Sequence, residues 1–286
     1  MKSKAAVVQM VSSGDVYANL RSAARLIAQA REQGAELILL PENFAVLDGG
    51  PLSQFAEPEG DTQALLQGFL CEQARSTGAW LIAGSMPLST RPGSIGEFPE
   101  QVPGGRVRPA CMVYDSQGEQ VARYDKMHLF DVQVEDRQAQ YSESRSFEPG
   151  DVAVCVQTPL GRVGLSICYD LRFPELYRRL LEQGAQLLTV PSAFTKVTGE
   201  AHWEVLLRAR AIENQCYVLA ANQGGVHNAT RETWGHSMIV DPWGRILASV
   251  ESGEGVAVAE IDMEALADLR ARMPIQSHRR FRGSQC

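Results

Sequence analysis

The chain contains one short pattern twice: an amphipathic helix, a glycine and a mainly apolar strand that ends in proline. The first copy is GAELILLP at residues 34–41, and the second is GAQLLTVP at residues 184–191. A strand that is apolar throughout is typical of an α/β fold, in which both faces of the sheet are covered. The recurrence predicts two similar halves packed into one body.

Periodicity extends this α/β pattern along the chain. The Pro- and Gly-rich stretch from about 87 to 109 has no periodicity, so we predict a long surface loop that is typical of a lid. Apolar residues at helical spacing predict helices over about 20–30, 61–77 and 201–215, and another that begins at Pro174. Strands are predicted at 5–10, 37–40, 80–83, 110–114, 121–124, 163–167, 216–221 and 256–261, with a hairpin over 235–250.

No linker divides the 286 residues. We therefore predict a single domain over residues 1–272, since α/β folds of this size often form one unit. A C-terminal tail over residues 273–286 carries Arg279, Arg280 and Arg282, which we expect to dock onto a neighbouring subunit.

Charge and cysteine usage exclude several classes of protein. A net charge of −7 argues against a nucleic acid partner, because non-specific binding of phosphates needs a basic surface. No apolar run approaches the roughly 18 residues that span a bilayer, and the opening MKSKAAVVQMV lacks a cleavage pattern, so we expect no membrane. The six cysteines form no C-x-x-C pair, which argues against a zinc ribbon or a thioredoxin-like motif and favours free thiols in the cytoplasm. We expect no metal and no cofactor.

Cys168 is the candidate nucleophile. It ends a predicted apolar strand and is followed at once by polar residues, so its thiol should emerge where strand gives way to helix. A helix N-terminus and a nearby cation would lower the pKa of such a thiol. The alternative is a buried structural cysteine, an interpretation that we apply to Cys71, Cys111, Cys155 and Cys216.

Two charged residues are placed to assist that thiol. Glu42 follows a buried strand and Pro41, which directs it to the carboxyl end of the sheet, where substrates bind in open α/β folds. It is the candidate general base. Lys126 ends another strand and is the candidate to stabilise the oxyanion, beside the backbone N–H of Tyr169. Taken singly, each charge also fits an ordinary solvated residue.

Three stretches together resemble the nitrilase, or carbon–nitrogen hydrolase, superfamily. They are LPEN at residues 40–43, YDKMHLF at residues 124–130 and ICYDLRFPE at residues 167–175. The resemblance spans nearly the whole chain. It implies a four-layer α-β-β-α sandwich and the pairing of sandwiches into a homodimer or a higher homo-oligomer.

The same resemblance implies a catalytic triad of Glu42, Lys126 and Cys168 that cleaves a small-molecule amide through a thioester. Relatives place a second glutamate ahead of the Pro-Gly that precedes the strand leading to the cysteine, and Glu143 matches it. Glu143 would orient Lys126 or assist proton movement. Two positions depart from the family's pattern, namely Pro109 and Asp125, and neither belongs to the triad.

Two further stretches resemble the Nit branch most closely: TGEAHWE at 198–204 and WGHSMIVDPWG at 234–244. Members of that branch hydrolyse deaminated glutathione, and their close relatives, the omega-amidases, act on α-ketoglutaramate. Both substrates carry carboxylates, so cations should line the pocket. Arg172 and Lys196 are the candidates, and a surface ion pair is the alternative for each.

Other functions remain open on the sequence alone. A Cys–His pair would use His128, His202 or His236 as the base. A binding scaffold would hold a metabolite without turnover, and an acyltransferase would pass the thioester to an amine. A serine hydrolase is disfavoured because Ser166 lacks the G-x-S-x-G context, and a zinc deaminase is disfavoured because His202 and Glu204 lack the P-C-x-x-C partner.

Overall fold

Two β-sheets form the centre of the protein. The computed structural model describes residues 3–93 and 98–281. The strands in chain order are β1 (Ser3–Gln9), β2 (Ala35–Leu39), β3 (Trp80–Ile82), β4 (Met86–Leu88), β5 (Thr90–Arg91), β6 (Glu100–Gln101), β7 (Arg108–Tyr114), β8 (Gln120–Asp125), β9 (Asp131–Gln133), β10 (Gln140–Ser142), β11 (Cys155–Thr158), β12 (Gly161–Leu165), β13 (Leu187–Thr189), β14 (Tyr217–Ala220), β15 (Ser237–Val240), β16 (Ile246–Val250) and β17 (Gly255–Ile261). The α-helices are α1 (Val16–Glu32), α2 (Leu65–Thr77), α3 (Pro174–Glu182), α4 (Lys196–Asn214), α5 (Met263–Arg272) and α6 (Ile275–His278).

The two sheets have the same strand order, although β17, from the C-terminal end of the chain, forms one edge of the first sheet. The first sheet runs β17-β1-β2-β3-β7-β8, with β4 on the same edge of β7 as β3, and the second runs β11-β12-β13-β14-β15-β16. In each sheet three parallel strands are flanked by antiparallel ones. The repeated glycines, Gly34 and Gly184, follow α1 and α3 with φ of 89° and 90°, a left-handed conformation that ends a helix. The two predicted halves are therefore present.

The sheets stack face to face, and helices cover their outer faces. Along β1, Ala5 and Val7 belong to the core that both sheets share, whereas Ala6 and Val8 pack in the core beneath α1 and α2. Helices α3 and α4 pack on the second sheet. Because every strand at the centre is covered on both faces, the strands are apolar throughout. This is the predicted four-layer α-β-β-α sandwich.

The stretch from 87 to 109 is not one long loop. Strand β4 pairs with β7, and β5 pairs with β6, while residues 94–97 lie outside the described part of the chain. Arg91, Arg106 and Arg108 all form ion pairs with Glu148, which ties this stretch to the body of the protein. Strands of two or three residues are too short to show an alternation in sequence.

Helix boundaries follow the caps more closely than the apolar pattern. Helix α4 begins at Lys196, not near 201, because Thr195 Oγ1 accepts a hydrogen bond from the N–H of Thr198. Helix α5 was not predicted, although Asp262 caps it in the same way through the N–H of Ala265.

Within residues 3–93 and 98–281, none of the helices has the length and apolar character needed to cross a membrane.

The C-terminal tail packs against its own chain. Arg279 Nη2 lies 3.1 Å from Glu182 Oε1 in α3. Along the chain, the short helix α6 connects α5 to Arg279. Arg282 is outside the described residues. The contact of this tail with a neighbouring subunit stays a prediction, and Arg279 already has a partner within the chain.

Candidate active site

A single pocket gathers residues that follow the parallel strands of both sheets. Glu42 comes after β2, Cys168 after β12 and Ala193 after β13, and all three line a cavity of about 210 Å³. The carboxyl ends of parallel strands are the usual place for such a crevice. The pocket is therefore built jointly by the two halves of the chain.

Cys168 opens a short 3-10 turn in a strained conformation. Its φ of 48° lies in the left-handed region, which costs a residue with a side chain about 1–2 kcal/mol. The Cys168 N–H donates to the carbonyl of Pro191 at 2.8 Å, which fixes the bend to the end of β13. Strain that the surroundings hold in place is typical of active sites.

The surroundings of Cys168 favour the neutral thiol over the thiolate. Burial raises its pKa well above the ordinary value and the charge of Glu42 raises it further, whereas Lys126 lowers it. The lowered pKa expected from the sequence is therefore wrong, because one cation does not offset burial together with a carboxylate. A thiol in this state needs a general base before it can attack.

Both side-chain oxygens of Glu42 have fixed donors. Oε1 accepts from Lys126 Nζ at 2.8 Å, and Oε2 accepts from the N–H of Ala193 at 2.9 Å. The Glu42 carbonyl accepts from Gln223 Nε2 at 3.0 Å. Two donors thus hold the carboxylate in one orientation and a third holds its backbone at the pocket wall, as a positioned base requires.

Lys126 lies between two carboxylates. Its Nζ is 2.8 Å from Glu42 Oε1 and 2.9 Å from Glu143 Oε2, and Glu143 also accepts the N–H of Phe130 at 2.8 Å. Burial by itself lowers the pKa of Lys126, but Glu143 and Glu42 outweigh it and raise that pKa well above the ordinary value. Lys126 is therefore a fixed positive charge and not a base.

Asp170, which sequence patterns did not single out, ties the turn after Cys168 to the segment that carries Lys126. Its Oδ2 accepts from the Tyr124 hydroxyl at 2.6 Å and from the Ile167 N–H at 2.8 Å. Its Oδ1 accepts from the His128 N–H at 3.0 Å. A fully buried acid must be satisfied in this way.

Gly84, after β3, supports the segment that carries Glu42. A Cβ at Gly84 would clash with the Pro41 carbonyl oxygen, and the φ of Gly84 is +65°. We expect Gly84→Ala to destabilise the protein by about 3 kcal/mol. It should also lower kcat, because Pro41 and the Glu42 carboxylate must shift. Thermal unfolding and steady-state kinetics measure the two effects.

Gly78→Ala is the matched control for that change. Gly78 has nearly the same φ, +64°, but nothing lies within 4 Å of the added Cβ. Its cost should be only about 1–2 kcal/mol, from the left-handed conformation alone, with kcat unchanged. Equal effects of the two substitutions on kcat would show that Gly84 does not support Glu42.

Tyr169 and Arg172 both line the pocket, as expected for groups that touch the substrate. The Arg172 guanidinium carbon lies 5.9 Å from the centre of the Tyr169 ring and 5.3 Å from that of Phe194. Nη1 of Arg172 also lies 3.2 Å from Nδ1 of His202. Stacking on two rings fixes a cation at the wall of the cavity.

Lys196 is not brought to the pocket. Lys196 is the first residue of α4. Its Nζ lies 2.7 Å from Glu232 Oε1, and both side chains are about half exposed. Lys196 does not line the cavity. The structure therefore favours the surface ion pair that the sequence left open for Lys196.

The three histidines considered as bases have other contacts. His128 Nδ1 lies 2.7 Å from Asp170 Oδ1, and His236 stacks on Trp234 with ring centres 4.2 Å apart. None of the three histidines is among the described residues that line the pocket. The geometry thus favours Glu42 over a histidine as the group beside Cys168.

Arg231 is a pocket residue that the sequence did not reveal. It lies in the irregular segment between β14 and β15 and lines the same cavity as Arg172. Its guanidinium carbon is 5.5 Å from the centre of the Tyr141 ring. Irregular segments carry no periodicity, so only the folded chain shows which of their cations face a pocket.

Comparison with known proteins agrees with this geometry. The family model described as carbon-nitrogen hydrolase matches residues 4–271, so the chain belongs to the carbon–nitrogen hydrolase family. Similar proteins include the deaminated glutathione amidase of Yersinia enterocolitica, with 43% identity over 96% of this chain and 92% of the relative. That of Rattus norvegicus is also 43% identical, over 96% of this chain and 81% of the relative.

Solved structures show the same fold. The C. elegans NitFhit protein matches with a TM-score of 0.84 and 40% identity, covering 98% of this chain, which spans 65% of NitFhit. Saccharomyces cerevisiae Nit3, of the nitrilase superfamily, matches with a TM-score of 0.84 and 30% identity over 98% of this chain and 97% of Nit3. A mutant of an amidase from Nesterenkonia sp. matches with a TM-score of 0.72 and 27% identity over 96% of this chain and 99% of the amidase, and acrylamide has added to its active-site cysteine.

Proposed function

We propose that this protein hydrolyses deaminated glutathione through a thioester on Cys168. The observation that carries the reaction type is the position of Lys126 between Glu42 and Glu143, behind the pocket that Cys168 lines. A base and a fixed cation beside a thiol are the groups that acyl transfer from an amide requires. The substrate follows from the relatives, at 43% identity over nearly the whole chain.

In the first half of the reaction Glu42 takes the proton of Cys168 as sulfur attacks the amide carbon. The oxyanion is held by Lys126 and the backbone N–H of Tyr169. An ammonium has three donors, and here Nζ lies 2.8 Å from Glu42 Oε1 and 3.0 and 2.9 Å from the two oxygens of Glu143. One of the two donors shared with Glu143 turns to the oxyanion as it forms, and the other keeps Lys126 in place. When the C–N bond breaks, protonated Glu42 returns the proton to the leaving amine, and the acyl group stays on sulfur as a thioester.

In the second half, water replaces the amine. Glu42 takes a proton from that water as its oxygen attacks the thioester, and the same donors hold the second oxyanion. The C–S bond then breaks, the carboxylic acid leaves, and Glu42 returns the proton to the Cys168 sulfur. Glu143, whose Oε2 lies 2.9 Å from Lys126 Nζ, holds Lys126 in place.

A substrate panel tests the proposal. Release of ammonia or amine is measured for deaminated glutathione, α-ketoglutaramate, carbamoylputrescine and a simple nitrile. We expect kcat/KM for deaminated glutathione to exceed each of the others by roughly tenfold or more. A higher value for α-ketoglutaramate would make the protein an omega-amidase, and binding without turnover of any compound would make it a metabolite-binding scaffold.

Hydroxylamine separates hydrolysis from acyl transfer in the same assay. Water should remain the main acceptor, with the hydroxamate as a minor product. A hydroxamate that dominates at low hydroxylamine concentration would instead indicate an acyltransferase.

We also propose that the protein acts as a cytoplasmic homodimer or a larger homo-oligomer. The described cysteines are all free thiols, which suits a reducing compartment. Sedimentation velocity over a range of concentrations tests the assembly, and a monomer at micromolar concentration would contradict it.

A further inference from the structure

Arg231 lines the pocket, and its side chain contains a buried donor without a partner in the described part of the chain. Its side chain is only 16% exposed, and among the residues that the structure describes none accepts a hydrogen bond from its buried Nε. Its Nη1 lies 4.0 Å from Asp48 Oδ1, which is too far for a hydrogen bond. A guanidinium with free donors beside a cavity fits a carboxylate, which accepts two parallel hydrogen bonds from it.

The surroundings hold Arg231 in place before any ligand arrives. Its backbone N–H donates to Asn228 Oδ1 at 2.7 Å, and its carbonyl accepts from the N–H of His227 at 3.0 Å. His227 is itself fixed, with Nδ1 2.7 Å from the Ser12 carbonyl oxygen. Together with the Tyr141 ring, these contacts lower the entropy lost when a ligand binds.

Arg172 and Arg231 belong to different parts of the pocket wall. Arg172 lies on the same 3-10 turn as Cys168 and packs on Tyr169, whereas Arg231 comes from the segment between β14 and β15. The acyl half of a substrate stays bound to Cys168 after the amine has left, so the cation on that turn suits the acyl half. Arg231 is then available to bind the amine half of the substrate.

We propose that Arg231 binds the carboxylate of the leaving amine and so sets a preference for peptide-like amides. This rests on the proposed function. In deaminated glutathione the leaving amine is cysteinylglycine, whose terminal glycine bears a carboxylate. α-Ketoglutaramate has the same acyl half but releases ammonia, which has no carboxylate for Arg231 to bind. Arg231 therefore contributes to the binding of deaminated glutathione and not to that of α-ketoglutaramate.

Arg231→Gln tests this with three substrates of identical acyl half: deaminated glutathione, its derivative with the glycine carboxylate converted to a carboxamide, and α-ketoglutaramate. We expect kcat/KM to fall on the order of 30-fold for deaminated glutathione and by less than about twofold for the other two. Arg231→Lys should retain part of the preference, since it keeps the charge but loses the paired donors.

Lys196→Gln is the matched control, because it removes one positive charge near Arg231 but outside the cavity. It should leave all three kcat/KM values unchanged, and activity on α-ketoglutaramate reports that each variant is folded. An equal loss on all three substrates in Arg231→Gln would overturn the inference alone. A wild-type protein that cleaves none of them would overturn the proposed function and the inference with it.

Discussion

Replacing Cys168 with alanine should lower kcat for amide hydrolysis by about 10⁴-fold or more. Without sulfur no thioester forms, and Glu42 and Lys126 are left to assist direct attack by water at a site shaped for a thiol. Product release measured over hours gives the residual rate. Intact-protein mass spectrometry after rapid acid quench should show the acyl adduct on the wild-type protein and none on the variant.

Cys155→Ala is the control for that change. Cys155 is the half-buried cysteine of β11, its thiol lies 3.5 Å from the Leu180 carbonyl oxygen, and it does not line the pocket. Its replacement should leave kcat within about twofold of the wild type. If Cys168→Ala kept wild-type turnover, the covalent mechanism would fail.

Replacing Glu42 with glutamine should lower kcat about 10³-fold. The amide preserves the shape and can still accept the N–H of Ala193, but it cannot take a proton from a thiol whose pKa lies well above the ordinary value. Steady-state kinetics at several pH values measures the loss. Glu232→Gln, at the surface pair with Lys196, is a matched control that should leave kcat unchanged.

A second measurement on Glu42→Gln separates a base from a merely structural residue. The Glu42 charge raises the pKa of the Cys168 thiol, and Lys126 lowers it. Removing the carboxylate therefore lowers that pKa, so alkylation of Cys168 by iodoacetamide should reach half its maximal rate at a lower pH than in the wild type. Turnover and alkylation should change in opposite directions near neutral pH.

Histidine substitutions test the alternative in which a histidine is the general base. His128→Ala removes the ring that lies 2.7 Å from Asp170 and should act mainly on stability. If Glu42→Gln kept full turnover while one histidine substitution abolished it, the base would be that histidine.

The pocket depends on both of the similar halves. Glu42 follows β2 of the first sheet, and Cys168 follows β12 of the second. Stacking the sheets brings these strand ends to one cavity, and the Ala193 N–H, after β13, binds the Glu42 carboxylate across the boundary. The same interface that buries the core therefore assembles the site.

Several features of the fold and of the site could be predicted from the sequence alone. The strands are apolar because they are covered on both faces, so local pattern alone indicated an α/β fold and two halves. The positions of Glu42, Lys126 and Cys168 at strand ends were equally local, because a strand end is marked by the change from apolar to polar residues.

Other features depend on contacts between distant residues, which only the tertiary structure decides. Lys196 and Arg231 are both cations in or beside irregular chain, yet one lies 2.7 Å from Glu232 at the surface and the other lines the cavity. The pKa of Cys168 likewise depends on burial and on Glu42, which is far away in sequence. Local pattern determined the strands and the three reactive residue types, whereas the environment of each charge was set by packing, because electrostatic effects depend on distance and burial and not on position along the chain.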